Sequence, residues 1–255
     1  MFLRGYIMLH LLLIGGGEIG APKGDGSFRP LETLDIDKHF VKSIGKTNPR
    51  ILFIPTATEM LDEKRLYEKG IYALYGERLG CSVDTLYFLE NPTQDEIKNK
   101  LQNADAIYIG GGNTAHMFEI WQRNGFQNIL KKVALSGKPI AGLSAGSMCW
   151  FEKVVIKNND ESMFIEGIGL LKGYCIPHFN KKKDLFAKEK IAQNTSFIGI
   201  DECAALEVNG AQINVIKSKT DAGVYHCGCI DNTLRFEKIQ QPNNKLLLQP
   251  SKRDR

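Results

Sequence analysis

The feature that most constrains this chain is an alternation of short apolar runs with longer segments of helical character. The runs lack the strict polar–apolar alternation of a strand with one solvent-exposed face, so they predict strands buried on both faces. The predicted strands are Leu11–Ile14, Ile51–Ile54, Ser82–Leu86, Ala106–Ile109 and Pro139–Leu143. The predicted helices are Leu61–Leu79, Gln94–Gln102, Ala115–Asn124 and Phe126–Leu135. Strands that alternate with helices predict an α/β fold, a mostly parallel sheet with helices on both faces.

The pattern changes after Gly167, where short strands follow one another without helices between them. They are Phe197–Ile200, Ala204–Val208, Ile213–Ile216 and Gly223–His226. Asn209-Gly210 is typical of a hairpin turn. We therefore expect an antiparallel extension of the same sheet and a single domain over residues 1–255. The polar, basic residues 241–255 are expected to form a flexible tail.

Composition excludes several classes of function. The net charge of +4, from 33 basic and 29 acidic residues, is too small to indicate nucleic-acid binding. The apolar run from Met8 to Ile14 is too short to span a membrane, and it leads into glycines as a first core strand would. The six cysteines include no C-x-x-C pair, so we expect buried, reduced thiols, no metal and a cytoplasmic protein. The sequence predicts no cofactor, and it leaves a homodimer open.

The strongest local signal is Gly142-Leu143-Ser144-Ala145-Gly146, a G-x-S-x-G motif that directly follows a predicted strand. A serine on such a sharp strand-to-helix turn exposes its hydroxyl above the sheet, as a nucleophile requires. The N–H of Ala145 would then face an oxyanion. The competing interpretation is a structural turn in which Ser144 only caps the helix.

A second strand also ends in glycines, in Gly110-Gly111-Gly112-Asn113. Such a loop lets backbone N–H groups approach an anion, so Gly111 or Gly112 could donate the second hydrogen bond to an oxyanion, with Asn113 beside them. An ordinary tight turn or a phosphate loop would show the same pattern.

The partners of the serine are a base and an acid. His178, in Pro177-His178-Phe179 and C-terminal to Ser144, is the preferred base, with His116 as second choice. A carboxylate should orient that histidine, and Glu202 and Asp160 are the two candidates.

Together these motifs resemble the serine peptidases that include aspartyl dipeptidase (dipeptidase E) and cyanophycinase. Six segments carry the resemblance, in the order of that family and over roughly Leu11 to Val208. They are Ile14-Gly15-Gly16-Gly17, Ile54-Pro55-Thr56-Ala57, Gly110-Gly111-Gly112-Asn113-Thr114, Gly142-Leu143-Ser144-Ala145-Gly146, Pro177-His178-Phe179 and Gly199-Ile200-Asp201-Glu202.

The resemblance implies a flavodoxin-like sheet close to that of class I glutamine amidotransferases, which carry cysteine where this chain has Ser144. It also implies hydrolysis of short peptides by Ser144, His178 and Glu202, with Asp160 as the alternative acid. An arginine that would grip an aspartyl substrate is absent near Lys153–Asn159, where only Lys153 and Lys157 are basic. We therefore do not expect specificity for aspartyl dipeptides.

Two other functions stay open at this point. Gly15-Gly16-Gly17-Glu18-Ile19-Gly20 satisfies the G-x-G-x-x-G pattern of dinucleotide-binding proteins, but residues 21–26 after it read as a loop and not as a helix. A non-catalytic protein of the same fold is the other alternative.

Overall fold

The computed structural model describes residues 8–59, 64–158, 161–186, 188, 195–230 and 233–240. The predicted flexible tail, residues 241–255, lies outside these ranges, and so does Asp160. Within the described ranges, no helix is both long enough and apolar enough to cross a membrane.

A seven-stranded sheet forms the centre of the fold, and its five parallel strands are those predicted from the apolar runs. Two further strands, β10 and β11, extend it in antiparallel orientation next to β1. In spatial order the strands are β11 (Gln212–Lys217), β10 (Ala204–Asn209), β1 (His10–Ile14), β5 (Ile140–Leu143), β4 (Ala106–Ile109), β2 (Arg50–Ile54) and β3 (Ser82–Thr85). A two-residue loop joins β10 to β11 at Gly210, which confirms the predicted hairpin.

Two hydrophobic cores explain why the central strands are apolar on both faces. Side chains that alternate along a strand point to opposite faces of the sheet. In β1, accordingly, Leu11 and Leu13 pack into one core, whereas Leu12 and Ile14 pack into the other. The prediction of a mostly parallel sheet covered on both faces is therefore confirmed.

Seven α-helices occur in the described part of the chain, and of the four predicted helices two begin at the predicted residue, Gln94 and Phe126, and one begins a residue earlier, at Thr114. They are α1 (Leu34–Ile44), α2 (Lys64–Ile71), α3 (Gln94–Asn103), α4 (Thr114–Arg123), α5 (Phe126–Leu135), α6 (Ala145–Met148) and α7 (Phe179–Phe186). The segment predicted as one helix over Leu61–Leu79 changes to a π-helix over Tyr72–Arg78. Helix α3 begins with a capping box, in which Thr93 and Glu96 satisfy each other's backbone N–H groups.

A second sheet corrects the prediction that all late strands extend the first one. Its four strands lie in the order β13 (Thr233–Lys238), β12 (Val224–Ile230), β9 (Thr195–Ile200) and β8 (Cys175–Pro177). The strands β6 (Lys153–Asn158) and β7 (Glu161–Glu166) form a separate hairpin. The two sheets diverge because the chain turns at Cys203, with φ 61°, between β9 and β10. Only β10 then reaches the edge of β1.

One buried carboxylate lies on the main sheet, on β10. Glu207 accepts hydrogen bonds from His39 at 2.8 Å and from Asn214 at 2.9 Å, and His10 lies 3.7 Å away. The contact with His10, together with the bonds from His39 and Asn214, outweighs the effect of burial and holds the pKa of Glu207 at about 2. This carboxylate is therefore ionised at neutral pH.

Candidate active site

Three glycine-containing loops meet at the carboxyl edge of the parallel strands. They follow β1, β4 and β5, which are neighbours in the sheet. Ligands of open α/β sheets bind at this edge, where the loops after the strands converge. The candidate nucleophile and the candidate oxyanion loop are therefore adjacent because of the strand order.

Ser144 is the single residue between β5 and α6. It has φ 51° and ψ −104°, a conformation that a non-glycine residue adopts only under strain. The turn is tight: a Cβ atom on Gly142 would lie 2.1 Å from the carbonyl oxygen of Gly146. The two glycines of the motif therefore let the chain close on itself behind the serine. This is the geometry expected of a nucleophile on a strand-to-helix turn.

His178 connects Ser144 to Glu202. Its Nε2 lies 3.0 Å from the Ser144 Oγ, and its Nδ1 lies 2.9 Å from the Glu202 Oε1. An ionised carboxylate only accepts hydrogen bonds, so Nδ1 carries the proton and Nε2 accepts from the serine hydroxyl. In this tautomer His178 is able to take the proton of Ser144.

The backbone at the end of β1 holds in place the segments that carry Ser144, His178 and Glu202. The carbonyls of Ile14, Gly15 and Gly16 accept hydrogen bonds from the N–H groups of Ser144 (2.9 Å), His178 (3.0 Å) and Cys203 (2.9 Å). Cys203 directly follows Glu202. Three consecutive carbonyl groups therefore set the relative positions of the serine, histidine and acidic segments, and we call Ile14–Gly16 the carbonyl clamp.

Gly16 also touches the imidazole. A Cβ atom at this position would lie 2.4 Å from the Nδ1 of His178 and 3.0 Å from the Cγ of Glu202. Only a glycine lets the clamp pass so close to the ring. The sequence indicated a functional loop at Gly15–Gly17 but gave no signal that it would contact His178.

Lys181 makes a contact with Glu202 that the sequence alone does not predict. Its ammonium group donates to the Glu202 Oε2 at 2.7 Å. The run Lys181–Lys183 suggests either a solvated face or a site for an acidic substrate. Because Lys181 is three residues after His178 on α7, it instead reaches the acid that orients the histidine. Asn180 adds to this: its Oδ1 accepts the N–H of Glu202 at 3.1 Å.

The pKa values of the pair follow from burial and charge. Burial lowers the pKa of His178 below its ordinary 6.5, although the hydrogen bond to Glu202 opposes the shift. Burial alone would raise the pKa of Glu202, but the hydrogen bonds from Lys181 and His178 outweigh it and the pKa falls. At neutral pH the arrangement therefore holds a neutral imidazole against an ionised carboxylate.

The loop after β4 lies beside the serine. A Cβ atom on Gly111 would be 3.3 Å from the Cβ of Ser144, whereas one on Gly112 would meet the carbonyl oxygen of Ala57 at 2.4 Å. Gly111 therefore faces Ser144, and Gly112 faces away from it. Asn113 is the N-cap of α4, because its side chain accepts the N–H of His116 at 3.0 Å.

The structure describes the positions of Ala145 and Asp201 but not that of Asp160. Ala145 is buried at the start of α6, and its N–H has no backbone acceptor within the described ranges. Asp160 lies outside those ranges, so its position relative to His178 is not described. Asp201, next to Glu202, accepts the N–H of Gly223, the residue before β12, at 3.0 Å.

The dinucleotide alternative requires a helix directly after the glycines. Residues 15–33 instead form loops and isolated bridges, and the first helix begins at Leu34. Gly16 of the motif packs against His178 and not against an open phosphate site. As for metals, no cluster of ligating side chains that could hold an ion occurs among the residues the structure describes.

Comparisons with known proteins show which peptidases this chain resembles in sequence. The profile of Peptidase family S51 matches residues 11–216. An uncharacterized peptidase of Bacillus subtilis, YgaJ, is 28% identical over 86% of this chain and 91% of its own length. Peptidase E of a Nostoc species is 21% identical over 69% of this chain and 76% of its own length.

Solved structures show the same fold. A peptidase from an acI-B1 Actinobacterium covers 95% of this chain and 99% of its own, with a TM-score of 0.70 and 21% identity. A putative peptidase E from Listeria monocytogenes covers 82% of this chain and 98% of its own, with a TM-score of 0.64 and 20% identity.

Proposed function

Because this chain belongs to peptidase family S51, we propose that it hydrolyses short peptides through an acyl-enzyme formed on Ser144. The observation that carries the proposal is the continuous hydrogen-bond chain from Ser144 through His178 to Glu202. Nucleophile, base and orienting acid in this order are the parts that covalent acyl transfer needs.

In the proposed reaction the Ser144 Oγ attacks the peptide carbonyl carbon while His178 takes its proton on Nε2. The resulting imidazolium is stabilised by Glu202, which stays ionised, and it then protonates the leaving amine. Water attacks the acyl-enzyme by the same route and releases the acid. The ionised state of Glu202 is supported by Lys181, which lowers its pKa.

The oxyanion would be bound by the N–H groups of Ala145 and Gly111. Ala145 supplies the first N–H after the nucleophile, and Gly111 is the loop residue that faces Ser144. In subtilisin, removal of one oxyanion donor costs about 10²–10³ in kcat. Backbone donors of this kind are fixed by the fold and need no reorganisation during the reaction.

The proposed preference for short peptides rests on the closed side of the site. Gly16 and Glu202 cover the Nδ1 side of the imidazole, so a substrate would have to reach Nε2 from another side, such as that of Ser144 and Gly111.

The test is a dipeptide library assayed with the wild type, Ser144→Ala and the control Ser136→Ala. Ser136 is an exposed serine at the end of α5. Ser144→Ala should lose hydrolysis and labelling by a fluorophosphonate probe, with an unchanged Tm, whereas Ser136→Ala should keep both. Hydrolysis by Ser144→Ala at the wild-type rate would disprove the proposal.

A further inference from the structure

A cavity of about 300 Å³ lies behind the candidate acid, on the side away from Ser144. Glu202 forms part of its wall, but neither Ser144 nor Gly111 lines it. Ligand cavities usually measure about 300–1,000 Å³, so this one has the size for a small molecule. The peptidase mechanism does not use it.

Three aromatic rings form the apolar wall of the cavity. Phe179, Tyr225 and Phe236 pack against one another with ring centroids 5.5 to 5.8 Å apart. Phe179 is buried, but Phe236 is 47% exposed. Ligand cavities are lined mainly by hydrophobic and aromatic side chains, and the exposed part of Phe236 offers ring surface that an apolar ligand group can cover.

Most charged groups around the cavity already have partners. Glu202 binds His178 and Lys181, and Lys219 donates to Glu32 at 2.6 Å. Asp201 accepts the N–H of Gly223. These groups are occupied within the protein and leave little charge for a ligand.

Two charged groups of opposite sign remain. Lys183 places its ammonium group 5.4 Å from the centroid of Phe236, and Asp221 is exposed at the cavity. Neither has a salt-bridge partner within the described part of the chain. The cavity therefore presents one cation, one anion and an aromatic wall.

We propose that this cavity binds a free α-amino acid with an apolar or aromatic side chain. Its carboxylate would pair with Lys183, its ammonium group with Asp221, and its side chain would cover Phe236. The identity of the ligand class rests on the proposed function, because free amino acids are products of peptide hydrolysis. Since Glu202 belongs to both sites, an amino acid in the cavity contacts the group that orients His178.

The experiment is calorimetric titration of the Ser144→Ala protein with L-phenylalanine, so that binding is measured without turnover. N-acetyl-L-phenylalanine and phenethylamine each lack one of the two charges. Each should bind about ten-fold or more weakly, because a charge-assisted hydrogen bond is lost. Adding Phe236→Ala or Lys183→Gln should weaken L-phenylalanine binding similarly.

The matched control is Phe28→Ala, which removes an aromatic ring that is 67% exposed at another place. It should bind L-phenylalanine like the parent. Absence of binding at millimolar L-phenylalanine, binding of either analogue as tight as that of L-phenylalanine, or full binding by the Phe236 and Lys183 variants would overturn the inference. None of these results would affect hydrolysis by the wild type, so failure here is distinct from failure of the proposed function.

Discussion

Gly16→Ala tests whether the carbonyl clamp positions the base. The new methyl group would lie 2.4 Å from the Nδ1 and 2.5 Å from the Cε1 of His178, whereas ordinary contacts begin at 3.4 Å. Since Gly16 is held by its bond to Cys203, the imidazole must give way by about 1 Å. Both hydrogen bonds of the ring, at 2.9 and 3.0 Å, would then lengthen or break.

The expected loss of activity follows from that displacement. A misplacement of about 1 Å of a catalytic group costs on the order of 10²-fold in rate. We expect Gly16→Ala to lower kcat about 100-fold on a dipeptide substrate, with a much smaller change in KM, because the imidazole acts in the transition state. The φ angle of +156° adds strain, so the free energy of unfolding should fall by about 1–3 kcal/mol.

Gly26→Ala provides the control. Gly26 has φ +82°, but a Cβ atom there meets nothing within 4 Å. It therefore carries the backbone strain without the collision, and kcat should stay at the wild-type value. If Gly16→Ala kept kcat within about three-fold of Gly26→Ala, the reasoning that the clamp positions the imidazole would be refuted.

Three other predictions concern charge and capping. Burial lowers the pKa of His178, and the charge of Lys181 adds a smaller lowering, so the acid limb of kcat/KM should lie below pH 6.5 in the wild type. It should move to higher pH in Lys181→Met but not in Lys98→Met, as measured by pH–rate profiles. Glu207→Gln should cost about 1–3 kcal/mol of unfolding free energy at neutral pH. Because the folded pKa of Glu207 is lowered from 4.5 to about 2, this difference should shrink as pH falls from 4.5 to 2 in urea titrations. Thr93→Ala removes the capping box of α3 and should lower stability by about 1 kcal/mol without changing kcat.

The sequence predicted the parts of the fold that depend on local patterns. Leu11–Ile14 is apolar at every position because both faces of β1 are covered. The four residues of this run are therefore enough to predict a strand that is buried on both faces. Phe126–Leu135 was predicted to the residue, since its helical periodicity and the following Gly137 are local signals. The separation of β9 and β12 into a second sheet depends on which distant strand each one meets, which no local pattern encodes.

In the candidate site, too, local motifs could be predicted from the sequence, whereas contacts between distant segments could not. Ser144 and His178 could be selected because each follows an apolar run and stands in a short motif. The choice between Glu202 and Asp160 stayed open in the sequence, and the structure places Glu202 at 2.9 Å from the imidazole. Lys181 could not be assigned, because only the path of α7 brings its ammonium group to that carboxylate.

The carbonyl clamp also joins segments that are synthesised at different times. Residues 14–16 are made first, whereas their partners follow at 144, 178 and 203. At about 5–20 residues per second, a ribosome needs about 3–12 s to proceed from the serine to the last partner. A nascent chain in that interval contains Ser144 but lacks at least one of the segments that the clamp holds beside it. Under the proposed mechanism, the order of the segments along the chain therefore delays peptide hydrolysis until residue 203 has been made.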